Sequence, residues 1–147
     1  MNTPLVIIPC AARKLDHAAP AGELYLGSYH RACRAAADRL TADGGTLLIL
    51  SGLYGLVPTS RVLQPYDTRI GDPHGAPVGK LRAQAHQLGV DQAQDVIVLA
   101  GRAYADRCRE VWPHARTPLA GMGIGRQLQK LAAIRDGEAV IEPPSSH

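Results

Sequence analysis

The sequence contains no phenylalanine and a single tryptophan, so aromatic residues make up only 4% of its 147 residues. A hydrophobic core must therefore be filled mainly by Leu, Ile, Val and Ala, and the five tyrosines supply most of the aromatic rings. Because a buried tyrosine hydroxyl needs a polar partner, we expect several tyrosines to act through the hydroxyl as well as the ring.

The chain also lacks long apolar runs, paired cysteines and a basic leader sequence. No apolar run approaches the roughly 20 residues of a membrane-spanning helix, so we expect a cytoplasmic protein with no membrane partner. Cys10, Cys33 and Cys108 show no paired spacing, which predicts reduced thiols. The six histidines show no metal-ligand spacing, so we expect neither a metal nor another cofactor.

The remaining composition is that of an ordinary globular protein, with 46% hydrophobic and 20% charged residues. The length predicts one domain, which we place at residues 1–141, followed by a flexible tail over residues 142–147. A formal charge of +3 and a pI of about 8.9 are compatible with a nucleic-acid or phosphate ligand but do not identify one.

Apolar runs alternate with helical patterns along the chain, which is typical of an α/β fold. Strands are predicted at residues 5–8, 46–50 and 96–100, with a short fourth strand near residues 115–119. Helices are predicted at residues 28–41 with Ser28 as N-cap, and at residues 77–88, 102–111 and 126–135. Residues 11–27 are predicted to form a long loop. This order predicts a mainly parallel sheet of about four strands with helices on both faces.

Residues 48–72 are the most informative stretch of the sequence. They predict a buried strand followed by a loop rich in Ser, Tyr, Asp and Arg. The apolar run ends abruptly at Ser51. Gly52 and Gly55 follow, and they allow positive φ or a close approach of the backbone to a ligand. Ligands of α/β proteins bind beyond the carboxyl ends of the strands, so this loop is predicted to carry the chemistry.

Other small or charged residues also follow predicted strands, and they should meet this loop in one cleft because parallel strands end at one edge. The glycine-rich turn at residues 121–125 and the helix after it offer N–H groups and a positive end to an anion. We assign phosphate binding to Gly101, Arg102, Gly121, Gly123, Gly125 and Arg126. Plain loop geometry would explain the glycines equally well.

Three charged side chains are candidates for catalysis: Lys14, Glu23 and Asp67. A lysine in a cleft can bind phosphate or, when desolvated, act as an amine nucleophile. An acid can act as a general base or bind ribose hydroxyls. Because a carboxylate is ionised at neutral pH, we expect Asp67 or Glu23 to be catalytic and Lys14 to bind phosphate. Each of the three could instead be a solvated surface or capping residue.

Substrate contacts are expected from residues of the cleft and of the central loop. Tyr54 and Tyr66 could stack on a nucleobase, although single tyrosines are often core residues. Cys10 could be a nucleophile or a small buried apolar residue. The predicted substrate-binding residues are Cys10, Ser51, Gly52, Tyr54, Gly55, Tyr66 and Arg69.

Six short segments carry a family resemblance: PCAARK at residues 9–14, ELYLG at 23–27, LSGLYGLVP at 50–58, QPYD at 64–67, LAGRAY at 99–104 and GMGIGR at 121–126. Together they resemble the YaaA-like superfamily, most closely its short bacterial and phage branch of unknown function. The similarity covers most of residues 5–130. The family pattern has a serine after the first cysteine, whereas Ala11 stands here, so any role of that hydroxyl is absent.

The resemblance implies nucleobase or nucleic-acid chemistry. Larger YaaA proteins are associated with DNA binding and protection against oxidative damage, and they carry a helix-hairpin-helix-like insertion for which this chain is too short. A related cysteine-serine-x-x-lysine motif occurs in archaeosine synthase, where lysine attacks a deazaguanine base. We therefore expect a DNA-binding enzyme of the DNA-glycosylase type, acting on a modified or damaged base in DNA repair or a stress response. The alternatives are a non-catalytic DNA-binding stress protein, and a hydrolase or transferase of free nucleosides or nucleotides.

Overall fold

The structure is a computed structural model, and it describes residues 3–138. Along this part of the chain the elements are β1 (Leu5–Pro9), β2 (Ala19–Pro20), α1 (Ala21–Leu24), α2 (Ser28–Leu40), β3 (Thr46–Ser51), β4 (Gly55–Pro58), β5 (Val62–Leu63), α3 (Val78–Gln87), β6 (Val96–Val98), α4 (Arg102–Val111) and α5 (Ile124–Arg135). The tail predicted at residues 142–147 lies outside the described residues.

The main sheet has four strands in the order β4-β3-β1-β6. The central strand β1 is parallel to both β3 and β6, whereas β4 runs antiparallel to β3. Side chains of β1 alternate between the two faces: Val6 and Ile8 belong to one buried layer, and Leu5 and Ile7 to the other. The predicted α/β class, with a mostly parallel sheet in a single domain, is confirmed.

Each face of the sheet is covered by a pair of helices. One layer contains Cys33 of α2 and Leu131 of α5, and the opposite layer contains Leu81 of α3 and Cys108 of α4. Burial on both faces explains why the strands read as continuous apolar runs in the sequence. None of the helices in the described part of the chain is long and apolar enough to cross a membrane.

The predicted fourth strand near residues 115–119 is wrong. This segment forms one parallel bridge beside β6, in which Arg116 exchanges backbone hydrogen bonds with Val96 and Val98. Pro118 has no N–H to continue the ladder. The fourth strand is instead β4, because Gly55 adopts φ of +79° and turns the chain back onto β3.

Two further predictions need correction. The segment predicted as a loop, residues 11–27, contains the short helix α1 and strand β2, which pairs with β5 in a small second sheet. Lys14 also forms an antiparallel bridge with Tyr25 within this segment, and the pairing of β2 with β5 ties the segment to the loop after β4. The N-cap of α2 is Gly27, at φ of 111°, and Ser28 is the first helical residue.

Candidate functional site

A cavity of about 430 Å³ opens at the carboxyl edge of the sheet, beside the end of β1. It is lined by residues from three parts of the chain that are distant in sequence: Cys10, Ala11, Ala12, Lys14, Asp67, Thr68, Arg69, Ile70, Ala103 and Tyr104. The end of β1, the central loop and the first turn of α4 therefore meet. The strand-end argument places Cys10 here correctly, whereas Ser51, Gly52 and Gly121, which it assigns to the same cleft, line neither this cavity nor the adjoining one.

A second, smaller cavity of about 290 Å³ shares Cys10, Ala103 and Tyr104 with the first. Its other lining residues are Pro9, Tyr29, Gly101, Arg102, Ile124 and Gln127. Cys10 Sγ and the Tyr104 hydroxyl lie 3.2 Å apart, and this pair stands where the two cavities adjoin. Two of the predicted phosphate-binding residues, Gly101 and Arg102, are thus brought close to Cys10.

The Tyr66 hydroxyl joins two other hydroxyls below the loop. It lies 2.5 Å from Ser51 Oγ and 2.7 Å from the Tyr25 hydroxyl. Ser51 is fully buried and its Oγ accepts the N–H groups of Leu53 and Tyr54, which favours Ser51 as the donor to Tyr66. Burial raises the pKa of Tyr25 to about 12 and raises the pKa of Tyr66 well above its ordinary value. Both phenols therefore stay protonated at neutral pH and act as hydrogen-bonding groups.

Lys14 lies above this group of tyrosines. Its Nζ is 4.4 Å from the centre of the Tyr66 ring and 5.8 Å from that of Tyr25, and it donates a hydrogen bond to the Ala12 carbonyl at 3.2 Å. The electron-rich faces of aromatic rings attract an ammonium ion and not a neutral amine. Lys14 also lines the larger cavity, where it can contact an anionic ligand.

The two candidate acids are placed differently. Asp67 is exposed and lines the larger cavity, on the same wall as Arg69. Glu23 is exposed on α1 and is not among the residues lining either of the two cavities. Of the two carboxylates that the sequence offers, the structure brings Asp67 together with Lys14 and Cys10.

Gly52 and Gly55 make room for the loop itself. A Cβ atom at Gly52 would collide with the Thr68 carbonyl oxygen and lie 2.9 Å from the Arg69 Cα atom. At Gly55 a Cβ atom would collide with the Gln84 amide, whose oxygen accepts the Leu56 N–H at 2.8 Å. The close approach predicted for these glycines is therefore made by protein atoms, in the part of the chain that the structure describes.

The two tyrosines predicted to stack on a base pack mainly against other side chains. Tyr54 and Tyr66 meet edge to face, with ring centres 5.5 Å apart at 79°. The Arg61 guanidinium carbon lies 5.8 Å from the Tyr54 ring centre, and Lys14 lies over Tyr66. Neither tyrosine lines the larger cavity.

Tyr104 lines both cavities, and sequence reasoning gave it no role. Burial raises its pKa above the ordinary value, so its hydroxyl is protonated at neutral pH. Its place in the first turn after Gly101 was the available signal, because the first turn of a helix after a parallel strand faces the cleft. The sequence analysis also assigned no role to Tyr25 or Gln84. No local sequence pattern indicates their hydrogen-bond partners.

The glycine-rich turn at residues 121–125 and the first residues of α5 contribute to two surfaces, the smaller cavity and a groove along α5. Gly121 adopts φ of +86°, Gly123 is the N-cap of α5 and Gly125 lies in its first turn. Arg126 faces a separate groove that it shares with Met122, Gln129, Lys130, Ala133 and Glu138. It lines neither cavity beside Cys10, so the structure does not bring this predicted phosphate ligand to the cleft.

Three further titratable side chains, those of Cys33, Cys108 and His30, are buried against the sheet. Burial raises the pKa of Cys33 and of Cys108 to about 12, which keeps both as inert thiols. His30 is buried, its Nδ1 donates to the Pro9 carbonyl at 3.1 Å, and burial lowers its pKa. Residues 3–138 contain no group of three or more His, Cys, Asp or Glu side chains arranged to hold a metal ion.

Comparison with known proteins gives a family for this chain. No solved structure matches it. It is 30% identical over 140 residues to the uncharacterized protein YfjM of Bacillus subtilis strain 168, which covers 86% of this chain and 91% of that protein. Residues 5–133 match the family model DUF6884, described as a family of unknown function. The predicted membership of the wider YaaA-like superfamily stays a prediction, and the chain belongs to the DUF6884 family.

Proposed function

We propose that this protein is a nucleobase-processing enzyme of the DNA-glycosylase type, which cleaves the bond between a modified or damaged base and its sugar. The observation that supports it is the cavity of about 430 Å³ that places Asp67 beside Lys14 and Tyr104. Small-molecule sites span about 300–1,000 Å³, so a flipped-out base with its sugar is of suitable size. The resemblance to the YaaA-like superfamily agrees with chemistry on a nucleobase.

In this proposal Asp67 is the catalytic residue. An exposed carboxylate is ionised at neutral pH, and it can activate water or stabilise the positive charge that develops on the sugar. Water then adds to the sugar carbon and passes a proton to Asp67, while the base leaves with the electron pair of the broken C–N bond and takes up a proton from solvent. Tyr104 remains protonated and can donate a hydrogen bond to the leaving base.

The cations around the cleft would hold phosphate groups. Lys14 Nζ lies over the Tyr66 ring, and Arg69 lines the same cavity from the loop after Tyr66. Arg102 and the Gly101 backbone border the smaller cavity. A nucleotide with its base and sugar in the larger cavity could place its phosphate toward Lys14 and Arg69 or toward Arg102 and the Gly101 backbone.

The size of the two adjoining cavities also supports a second candidate, a hydrolase or transferase of free nucleosides or nucleotides. Cavities of about 430 and 290 Å³ would together accommodate one mononucleotide. A non-catalytic DNA-binding role is the third alternative, and the formal charge of +3 is compatible with it. The free thiols of Cys10, Cys33 and Cys108 agree with a proposed cytoplasmic location, where thiols stay reduced.

The experiment is release of a base from oligonucleotides that each carry one modified or damaged base. Asp67→Asn should lower the rate by about 100-fold or more, as expected for loss of a general base, while oligonucleotide binding is retained. Glu23→Gln is the matched acid variant. A larger loss of base release in Glu23→Gln than in Asp67→Asn would identify Glu23 as the catalytic residue. Borohydride trapping should give no covalent adduct. An adduct that disappears only in Lys14→Ala would replace the carboxylate route by a lysine Schiff base.

A further inference from the structure

We propose that the face of α5 that carries the exposed Arg126 and the half-buried Lys130 binds the DNA backbone next to the base held in the cleft. This rests on the proposed function, and it adds the surface that would recognise the DNA strand outside the cleft. The partner is a DNA strand whose phosphate backbone runs beside the cleft. A free nucleotide has no such backbone.

The first observation is the unpaired charge of this face. Arg126 and Lys130 lie four residues apart on α5, about 6 Å along its axis. They border a groove of about 410 Å³ with Met122, Gln129, Ala133 and Glu138. Within residues 3–138 neither cation forms an ion pair or a hydrogen bond, whereas the neighbouring Arg135 pairs with Asp136.

Two cations at this spacing do not stabilise the helix. Like charges four residues apart on one face repel each other, so helix stability does not account for the pair. Glu138 is the acid of the groove, and it lies beyond the carboxyl end of α5, next to Ala133. The amino-terminal half of the groove therefore presents positive charge without a matching acid, which complements a phosphate backbone.

The second observation is that the turn before α5 contacts both the wall of the smaller cavity and the groove. The Arg102 guanidinium lies 3.4 Å from the position of a Cβ atom at Gly121, and the next residue, Met122, borders the groove. Gln127 lines the smaller cavity and donates a hydrogen bond to the Met122 carbonyl at 2.9 Å. The turn before α5 thus connects the wall of the smaller cavity to the groove.

The separation of Arg126 from the cleft decides which substrate the surface fits. Arg126 and Lys130 line neither cavity beside Cys10, so they are not placed to bind the phosphate of a nucleotide bound there. A strand that leaves the cleft past Arg102 would bring its next phosphates to Arg126 and Lys130. A polymer has such phosphates, and a mononucleotide has none.

The test is binding of a fluorescent oligonucleotide, followed by anisotropy over a series of salt concentrations. Arg126→Gln with Lys130→Gln should weaken binding. It should also lower the slope of log affinity against log salt by about 1.4–1.8, because each phosphate contact contributes about 0.7–0.9. The control is Lys80→Gln with Arg109→Gln, which removes the same charge from α3 and α4 on the opposite face of the sheet.

Equal salt slopes for the two double variants would overturn the assignment of this surface. A wild-type protein that releases base from free nucleosides but binds no oligonucleotide at low salt would also overturn it, while leaving the chemistry of the cleft in place. Loss of base release in Asp67→Asn tests that chemistry separately, since Asp67 is remote from α5 in sequence and lines a different cavity. Circular dichroism of both double variants checks that the helices are retained.

Discussion

Gly52 shows how a residue that looks like part of a ligand site can instead fix the shape of the site. Its missing side chain lets the backbone of Thr68 and Arg69 pack directly against it. The Gly52 carbonyl accepts the Ala76 N–H at 2.8 Å, so the loop after Tyr66 is held at both of its ends. Asp67 and Arg69 reach the larger cavity because this loop lies against the end of β3.

We therefore predict that Gly52→Ala destabilises the fold and displaces the loop. The new Cβ would overlap the Thr68 carbonyl, and the overlap can be relieved only by moving backbone, at a cost of about 1–3 kcal/mol. Urea unfolding measures this cost, and any cleft ligand should bind more weakly. Gly79→Ala in α3 is the control, because within residues 3–138 nothing beyond its chain neighbours and the adjacent turns of its own helix lies within 4 Å of its Cβ position. Similar unfolding midpoints for both variants would contradict this role of Gly52.

Single residues also show what the sequence could and could not predict about the site. Cys10, Ser51 and Gly101 were predictable as neighbours because each lies at or just beyond the end of a buried strand, and parallel strands end at one edge. The hydrogen-bond partners of the hydroxyl groups could not be predicted from the sequence. Tyr25 reaches Tyr66 across 41 positions of sequence, and Cys10 reaches Tyr104 across 94. No periodicity encodes such pairs, since they depend on how the elements pack.

At the scale of elements, β1, β3 and β6 were predictable because burial on both faces makes them continuous apolar runs. Strand β4 was not, since its sequence begins with the Gly55 turn that resembles a functional loop. It forms because the Gln84 side chain of α3 supplies hydrogen bonds at this turn. Its amide nitrogen donates to the Tyr54 carbonyl at 2.7 Å, and its oxygen accepts the Leu56 N–H at 2.8 Å.

We predict that Gln84→Ala destabilises the β3–β4 hairpin. Both backbone groups would lose their partner at a half-buried position, and each lost hydrogen bond costs about 1–3 kcal/mol when its group stays buried. Amide hydrogen exchange should accelerate at Leu56, and the free energy of unfolding should fall. Gln87→Ala is the matched control, because Gln87 is exposed on the same helix. Equal effects of the two substitutions would rule out a specific role for the Gln84 amide.

At the scale of the whole molecule, the sheet separates two hydrophobic layers and joins them into one folding unit. The layers share β1 and β3, whose alternate side chains face opposite sides. Neither layer can keep its helices packed once the sheet opens, so loss of one layer should unfold the other. Trp112 is the one tryptophan of the chain, and it is buried in the layer of α3 and α4.

We therefore predict that Leu131→Ala, in the layer of α2 and α5, shifts the unfolding of Trp112 as much as that of the helices. Leu131 is fully buried, and removal of such a side chain costs about 2–5 kcal/mol. In a two-state protein, tryptophan fluorescence and far-ultraviolet circular dichroism report one transition, so both midpoints in urea should fall together. Leu88→Ala is the control, because Leu88 is 39% exposed and its truncation should change stability by less than about 0.5 kcal/mol. If Leu131→Ala lowered the circular-dichroism midpoint and left the fluorescence midpoint in place, the two layers would be separate folding units, and the cleft at the end of their shared sheet would lose its rigid base.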